Sequence, residues 1–135
     1  MTLQARVDTT IPADTYEVAR AAFPRGNVYL RLRDELGTIY SDEQYADLYV
    51  QQGQAATSPA LLAWVTVLQF KEGWTDRDAA DAVRGRIDVK YLLGLPLKDA
   101  GFHFSALSEF RERLLAKGAE LRLLEQLLQV CRAHG

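Results

Sequence analysis

The sequence predicts an all-α protein, a compact bundle of about six to eight short helices. No segment shows the strict alternation of apolar and polar residues that marks a half-buried strand. Residues that start or end helices divide the chain into short pieces, and apolar residues recur within most pieces at helical spacing. The 135 residues, 48% hydrophobic and 25% charged, suit one globular domain, which we place at residues 1–135.

In the first part of the chain, three helices follow from their end signals. Pro12 suits the first turn of a helix because proline lacks the N–H that this turn leaves unpaired. Gly37 is a natural helix end, and Ser41 and Gln44 have capping-box spacing. The predicted helices run from residue 12 to about 23, from 28 to 36, and from 41 to 50.

The rest of the chain predicts five more helices. Ser58 with Pro59 starts a long apolar helix that Gly73 ends. Thr75, with Asp78 three residues on, caps the next one. The predicted helices are 59–72, 75 to a break at 84–86, 87–93, 105–115 and 119–133. Ser105 is the predicted cap of the fourth, and residues 97–104 form the loop before it.

A search for catalytic chemistry gives no candidate. The two histidines, His103 and His134, have no metal-ligand spacing to each other or to the single cysteine. There is no nucleophile motif and no glycine-rich phosphate loop. Asp76, Asp78 and Asp81 fit a solvated helix start better than a carboxylate site. We therefore expect no enzyme activity, metal, cofactor or small-molecule substrate.

The segment from 75 to 93 has the layout of a helix-turn-helix unit. A capped helix with small residues is followed by a glycine-containing turn and a second short helix. In such units the second helix presents polar side chains to the major groove. Arg86 and Lys90 are four residues apart and would project from one side, Arg84 in the turn would reach a phosphate, and Arg77, a further candidate DNA contact, opens the first helix.

The charge pattern leaves this interpretation open. The basic residues of the unit alternate with aspartates, so they could instead form weak surface pairs. Arg111 and Arg113 form a second candidate DNA contact, beside Glu109 and Glu112. The net charge is −2, with 5 basic and 8 acidic residues in 1–58 against 11 and 10 in 59–135. Any DNA contact should therefore be a local patch in the second part.

Location is predicted from two absences. No apolar stretch reaches the roughly 18 residues that span a bilayer, so we expect no membrane association. The single cysteine, Cys131, cannot form an internal disulfide, which suits a reducing cytoplasm.

Four blocks in order carry a resemblance to a known family. They are LGTIYSDEQYADLY at 36–49, GQAATSP at 53–59, VLQFKEGWTDRDAADAVRGRIDVKYLLGLPL at 67–97, and FSALSEFRERL at 104–114. Together they resemble the amino-terminal domain of bacterial insertion-sequence transposases of the DDE class, which precedes an RNase H-like catalytic core.

This resemblance implies binding to double-stranded DNA, chiefly the terminal inverted repeats, with cleavage by a later domain. No acidic residue matches a catalytic position of that family. The alternative is a protein-interaction or dimerisation domain, or a truncated regulator of a full-length transposase. It rests on the last helix, where Leu121, Leu124, Leu128 and Cys131 form one stripe and Leu123, Leu127 and Val130 another. A helix this widely apolar needs partners on two sides, so we expect a homodimer through it.

Overall fold

The computed structural model describes residues 11–37, 40–49, 57–119 and 121–134, and its described part is all α, as predicted. Seven α-helices and one 3₁₀ helix follow one another, and no strand lies among these residues. They are α1 Ala13–Ala22, α2 Val28–Leu36, the 3₁₀ helix Asp42–Tyr49, α3 Pro59–Glu72, α4 Asp76–Gly85, α5 Ile87–Leu93, α6 Ser105–Ala116 and α7 Arg122–His134.

The predicted signals at the start of α3 and α4 are confirmed. The Ser58 side chain accepts a hydrogen bond from the Leu61 amide, and Pro59 occupies the first turn. Thr75 and Asp78 form a complete capping box, in which each side chain accepts a hydrogen bond from the other residue's backbone N–H. These bonds satisfy N–H groups that a helix start otherwise leaves unpaired.

Two predicted helix starts differ in detail. The helix after Ser41 is a 3₁₀ helix, and its buried Asp42 carboxylate accepts hydrogen bonds from the Ser58 hydroxyl and the Ala60 amide. Asp42 therefore helps to cap α3. Ser105 does not cap α6, because it is the first helical residue and Phe104 holds the N-cap position. The Ser105 amide donates to the His103 ring nitrogen at 3.2 Å. The predicted helix end at Val50 lies outside the described residues.

The core forms around α3 and α5. Eight residues of α3 are buried, including Leu62, Trp64 and Val65. In α5 every residue from Asp88 to Leu93 is buried, because α1 and α2 pack on one side of it and α4 on another. Helix α6 closes the bundle by placing Leu107, Phe110 and Leu114 in the core.

The burial of α5 corrects the helix-turn-helix prediction. Helices α4 and α5 do follow each other with only Arg86 between them. A recognition helix, however, must expose polar side chains along one face to enter a DNA groove. Here α5 is covered on all sides, so it cannot serve as the second helix of such a unit in this arrangement.

Across the described part of the chain, no helix has both the length and the apolar character needed to cross a membrane.

Candidate nucleic-acid interface

Helix α4 exposes two arginines, Arg77 and Arg84, on its solvent side. Four residues turn inward and pack on the core: Ala79, Ala80, Ala82 and Val83. Arg77 and Arg84 are exposed and seven residues apart. Seven residues make nearly two helical turns, so both arginines project from the same side with a rise of about 10.5 Å between them. Asp81 lies between them, also exposed.

The loop between α5 and α6, residues 94–104, runs beside α4 in the opposite direction. Arg84 Nε donates to the Ala100 carbonyl at 3.2 Å. The Arg77 guanidinium lies 4.2 Å from the centre of the Phe104 ring, a cation–π distance. His103 stacks on the same Phe104 ring with centroids 4.3 Å apart. We call this surface the α4 face: Arg77, Asp78, Asp81, Arg84, Ala100, His103 and Phe104.

The loop is shaped by local hydrogen bonds. The Asp99 amide donates to the Pro96 carbonyl at 3.1 Å, and the Gly101 amide donates to the Asp99 carboxylate at 2.7 Å. Gly101 has φ +77°, a left-handed conformation that glycine adopts without strain. Phe102 is buried in the core, so it fixes the loop while its neighbour His103 faces solvent.

Arg86 forms an ion pair with Asp88. Its guanidinium makes two hydrogen bonds, of 3.0 and 2.7 Å, to the buried Asp88 carboxylate. The Asn27 amide nitrogen at the start of α2 also donates to Asp88, at 3.0 Å. The hydrogen bond with Asp88 raises the pKa of Arg86 further above its ordinary value. Arg86 is partly exposed but is held across the junction of α2 and α5.

Lys90 lies inside the protein. It is 3% exposed, and its ammonium donates a hydrogen bond to the Asp99 carbonyl. Burial lowers the pKa of Lys90, and the nearby Asp99 charge partly opposes that shift. The expectation that Arg86 and Lys90 project together from an exposed helix is therefore wrong in its geometry, because only Arg86 reaches solvent.

The second predicted pair, Arg111 and Arg113, connects helices. Arg111 makes two hydrogen bonds of 2.8 Å to Asp76 at the start of α4, and Gln69 of α3 donates to Asp76 at the same distance. The bond from Arg111 lowers the pKa of the Asp76 carboxyl. Arg113 donates to the Leu48 carbonyl at 3.0 Å, which joins α6 to the 3₁₀ helix.

Residues 17–113, well over half of the chain, match the family described as Transposase domain (DUF772). The chain belongs to this transposase-domain family. A search of curated proteins and a search of solved structures each gave no match.

The matched segment of the transposase domain contains the whole α4 face and all six arginines and lysines that the sequence predicted as contacts. The structure divides these six. Arg77 and Arg84 share the α4 face, Arg86 is half-exposed beside it in sequence, and Lys90, Arg111 and Arg113 bond to carbonyls or carboxylates within the domain.

Sequence reasoning missed the contribution of the α5–α6 loop to the transposase domain's exposed surface. Gly101 before the run Phe102-His103-Phe104 was the visible signal, since glycine permits a close approach of the backbone to a neighbouring element. What the spacing could not show is that this loop lies along α4.

In the described part of the transposase domain, no group of three His, Cys, Asp or Glu side chains is placed to hold a metal ion. Asp76 bonds to Arg111, Asp78 caps α4, and Asp81 faces solvent, so the three aspartates serve different purposes. The side chain of His134 lies outside the described residues.

Outside the α4 face, α7 and α3 border an apolar groove of about 390 Å³. It is lined by Val67, Phe70, Leu121, Leu123, Leu124 and Leu127. Phe70 is 87% exposed and Leu121 63%, which is unusual for large apolar side chains on one face. The predicted stripe positions Val130 and Cys131 have side chains outside the described residues.

Proposed function

We propose that this transposase domain binds duplex DNA through the α4 face. The observation that carries the proposal is the pair Arg77 and Arg84, exposed on one side of α4. Neither takes part in the ion pairs found between described residues. Guanidinium groups bind phosphate through paired hydrogen bonds. A separation of about 10.5 Å along the helix suits phosphates on the two sides of a groove about 12 Å wide.

The proposed substrate is the DNA at the ends of an insertion sequence, its terminal inverted repeats. Contacts of this kind fix the protein on the backbone, and sequence is read by base-edge contacts or by DNA shape. His103 is exposed on the α4 face and is the group that we place nearest to the base edges. The net charge of −2 restricts the contact to this local patch.

The same proposal assigns DNA cleavage to another part of the transposition machinery. We expect the 135-residue chain to show no nuclease activity with Mg²⁺ or Mn²⁺ on a duplex that it binds. Because its substrate is chromosomal DNA, the proposal also places the chain in the cytoplasm. Cleavage abolished by chelation and retained through purification would contradict this part.

The experiment compares duplex binding by wild type and by the Arg77→Ala/Arg84→Ala double variant. Fluorescence anisotropy at about 50 mM salt with a terminal inverted-repeat duplex should show binding by wild type and at least a ten-fold loss in the double variant. Arg25→Ala/Arg31→Ala removes the same charge from exposed positions beside and in α2, and is the matched control.

Equal losses in the two double variants would show a general charge effect and contradict the α4 face. Absence of wild-type binding at low salt would contradict DNA binding itself. A shuffled duplex of the same length separates the two contributions, because backbone contacts alone bind both duplexes equally.

The apolar groove favours a second proposal, that the chain forms a homodimer through α7. Leu121, Leu124 and Leu128 are exposed along this surface, and Leu121 and Leu124 line the groove together with Leu123 and Leu127. An exposed apolar face of this kind marks an interaction site, and we infer that the same face of a second copy covers it, with the exposed leucines of each copy entering the groove of the other. Self-complementarity is what a two-fold symmetric interface requires.

Sedimentation over a range of concentrations tests the dimer. Leu124→Ser should shift the protein toward monomer with little loss of folding stability, because Leu124 is 52% exposed. Leu115→Ser is the matched control, since Leu115 is 66% exposed on α6 and does not line the groove. Wild type that stays monomeric at high concentration contradicts the dimer. A chain that dimerises this way could also regulate a full-length transposase by mixed assembly.

A further inference from the structure

The turn at residues 99–101 contacts the helices beside it through two hydrogen bonds and one close approach. The buried Lys90 ammonium donates to the Asp99 carbonyl. Arg84 Nε donates to the next carbonyl, that of Ala100. Gly101 lies so close to α4 that an added Cβ would meet the Val83 side chain at 3.4 Å. These contacts define where the loop lies along α4.

A lysine is unusual at a position as buried as residue 90. Taking an ammonium group out of water is costly, and a methionine would fill the same space without that cost. The one hydrogen bond that the structure gives this ammonium goes to the loop carbonyl of Asp99. Hydrogen bonds from charged donors are roughly twice as strong as those from neutral donors. The charge of Lys90 therefore acts on the loop, and the loop contacts both arginines of the α4 face.

We propose that Lys90 is a positioning residue for DNA binding, whose buried ammonium fixes the α5–α6 loop so that Arg84 and Arg77 are correctly placed. The inference rests on the proposed DNA binding through the α4 face. Arg84 is oriented by the Ala100 carbonyl, one residue after the carbonyl that Lys90 holds. Arg77 is supported by Phe104, further along the same loop. Lys90 itself contacts no phosphate.

The salt dependence of binding distinguishes positioning from contact. A residue that neutralises a phosphate lowers the slope of log affinity against log salt by about one when it is removed. A positioning residue whose loss leaves both arginines on their phosphates, but less well placed, weakens binding and leaves the slope unchanged. Lys90→Met should therefore reduce affinity about five-fold to ten-fold at low salt with the wild-type slope.

Hydrogen exchange supplies a readout that does not depend on DNA. In Lys90→Met the amide of Gly101, which donates to the Asp99 carboxylate, should exchange at least ten times faster. Amides in the middle of α3 should be unchanged, because that helix lies behind the loop in the core. Unchanged exchange at Gly101 would show that Lys90 does not hold the loop.

Gly101→Ala tests the same inference without altering any charge. Its φ of +77° strains an alanine, while the new Cβ would lie at an ordinary contact distance of 3.4 Å from the Val83 side chain, so the strain acts on the loop backbone. We expect an affinity loss with an unchanged salt slope, as in Lys90→Met. Gly118→Ala is the control, because Gly118 has φ +63° and open space around it at the end of α6. It should lower stability and leave affinity as it is.

The outcomes separate DNA binding through the α4 face from the positioning role of Lys90. If wild type binds no duplex, both are overturned. If wild type binds through Arg77 and Arg84 while Lys90→Met and Gly101→Ala bind equally well, only the positioning inference is overturned. A salt slope lowered by one in Lys90→Met, together with unchanged hydrogen exchange at Gly101, would make Lys90 a direct contact and also overturn it. If Lys90→Met does not fold, Gly101→Ala decides.

Discussion

Asp81 offers a sharp test of the α4 face because removing its charge should strengthen binding. It lies four residues after Arg77 and three before Arg84, and it is exposed. Along the helix axis these steps are about 6 and 4.5 Å, so two phosphates held by the arginines would lie roughly 8 Å from its carboxylate. The carboxylate would therefore repel both phosphates.

The magnitude follows from Coulomb's law. Two like unit charges about 8 Å apart in water repel each other by about 0.5 kcal/mol, so two phosphates give about 1 kcal/mol. That corresponds to about a five-fold gain in affinity for Asp81→Asn at low salt. Near 0.15 M salt the screening length is about 8 Å, and the gain should fall to about two-fold.

Fluorescence anisotropy at two salt concentrations measures this gain. Asparagine and aspartate have similar helix propensities, so the variant should keep its fold. Glu35→Gln removes one negative charge from an exposed position on α2, which packs on α5 and α7, and it is the matched control. An unchanged affinity for Asp81→Asn, or an equal gain for Glu35→Gln, would refute phosphate contact at the α4 face.

Three further predictions concern the fold that supports this face. Thr75→Ala removes one half of the capping box with Asp78 and should lower the free energy of unfolding by about 1 kcal/mol in urea denaturation, and a loss near zero would contradict the capping account. Phe110→Ala should cost about 3–5 kcal/mol in the same assay, because Phe110 is fully buried. Arg111 lowers the pKa of Asp76 in the folded state, so this carboxylate contributes stability at neutral pH that is lost as the pH falls below its ordinary value of 3.8. Asp76→Asn should therefore be less stable than wild type at pH 7 and closer to it at pH 3, and an equal deficit at both would contradict the linkage.

Helix ends were predictable because their causes are local. Ser58 and Thr75 act on amides within three residues of themselves, and the sequence shows that spacing directly. The helix predicted at 41–50, which is a 3₁₀ helix over Asp42–Tyr49, depends on a distant contact as well. From its position, Asp42 would be expected to accept a hydrogen bond from an amide in the first turn of its own helix. Its carboxylate instead accepts one from the Ala60 amide, 18 positions away.

The candidate site was predictable only in part, because exposure depends on distant neighbours. Spacing placed Arg86 and Lys90 on one side of α5, but it could not show that α1 and α2 cover that helix. Arg111 looked free beside Glu112, whereas its partner is Asp76, 35 positions earlier. Arg77 and Arg84 remained on the surface because the small residues of α4 occupy its inner side.

The salt dependence of duplex binding tests the central claim most directly. Affinity of wild type and of Arg77→Ala/Arg84→Ala should be measured from about 25 to 200 mM salt and plotted as log affinity against log salt. If the two arginines each neutralise one phosphate, the slope of the double variant should be smaller than that of wild type by about two. Parallel lines for the two proteins would contradict DNA binding through the α4 face.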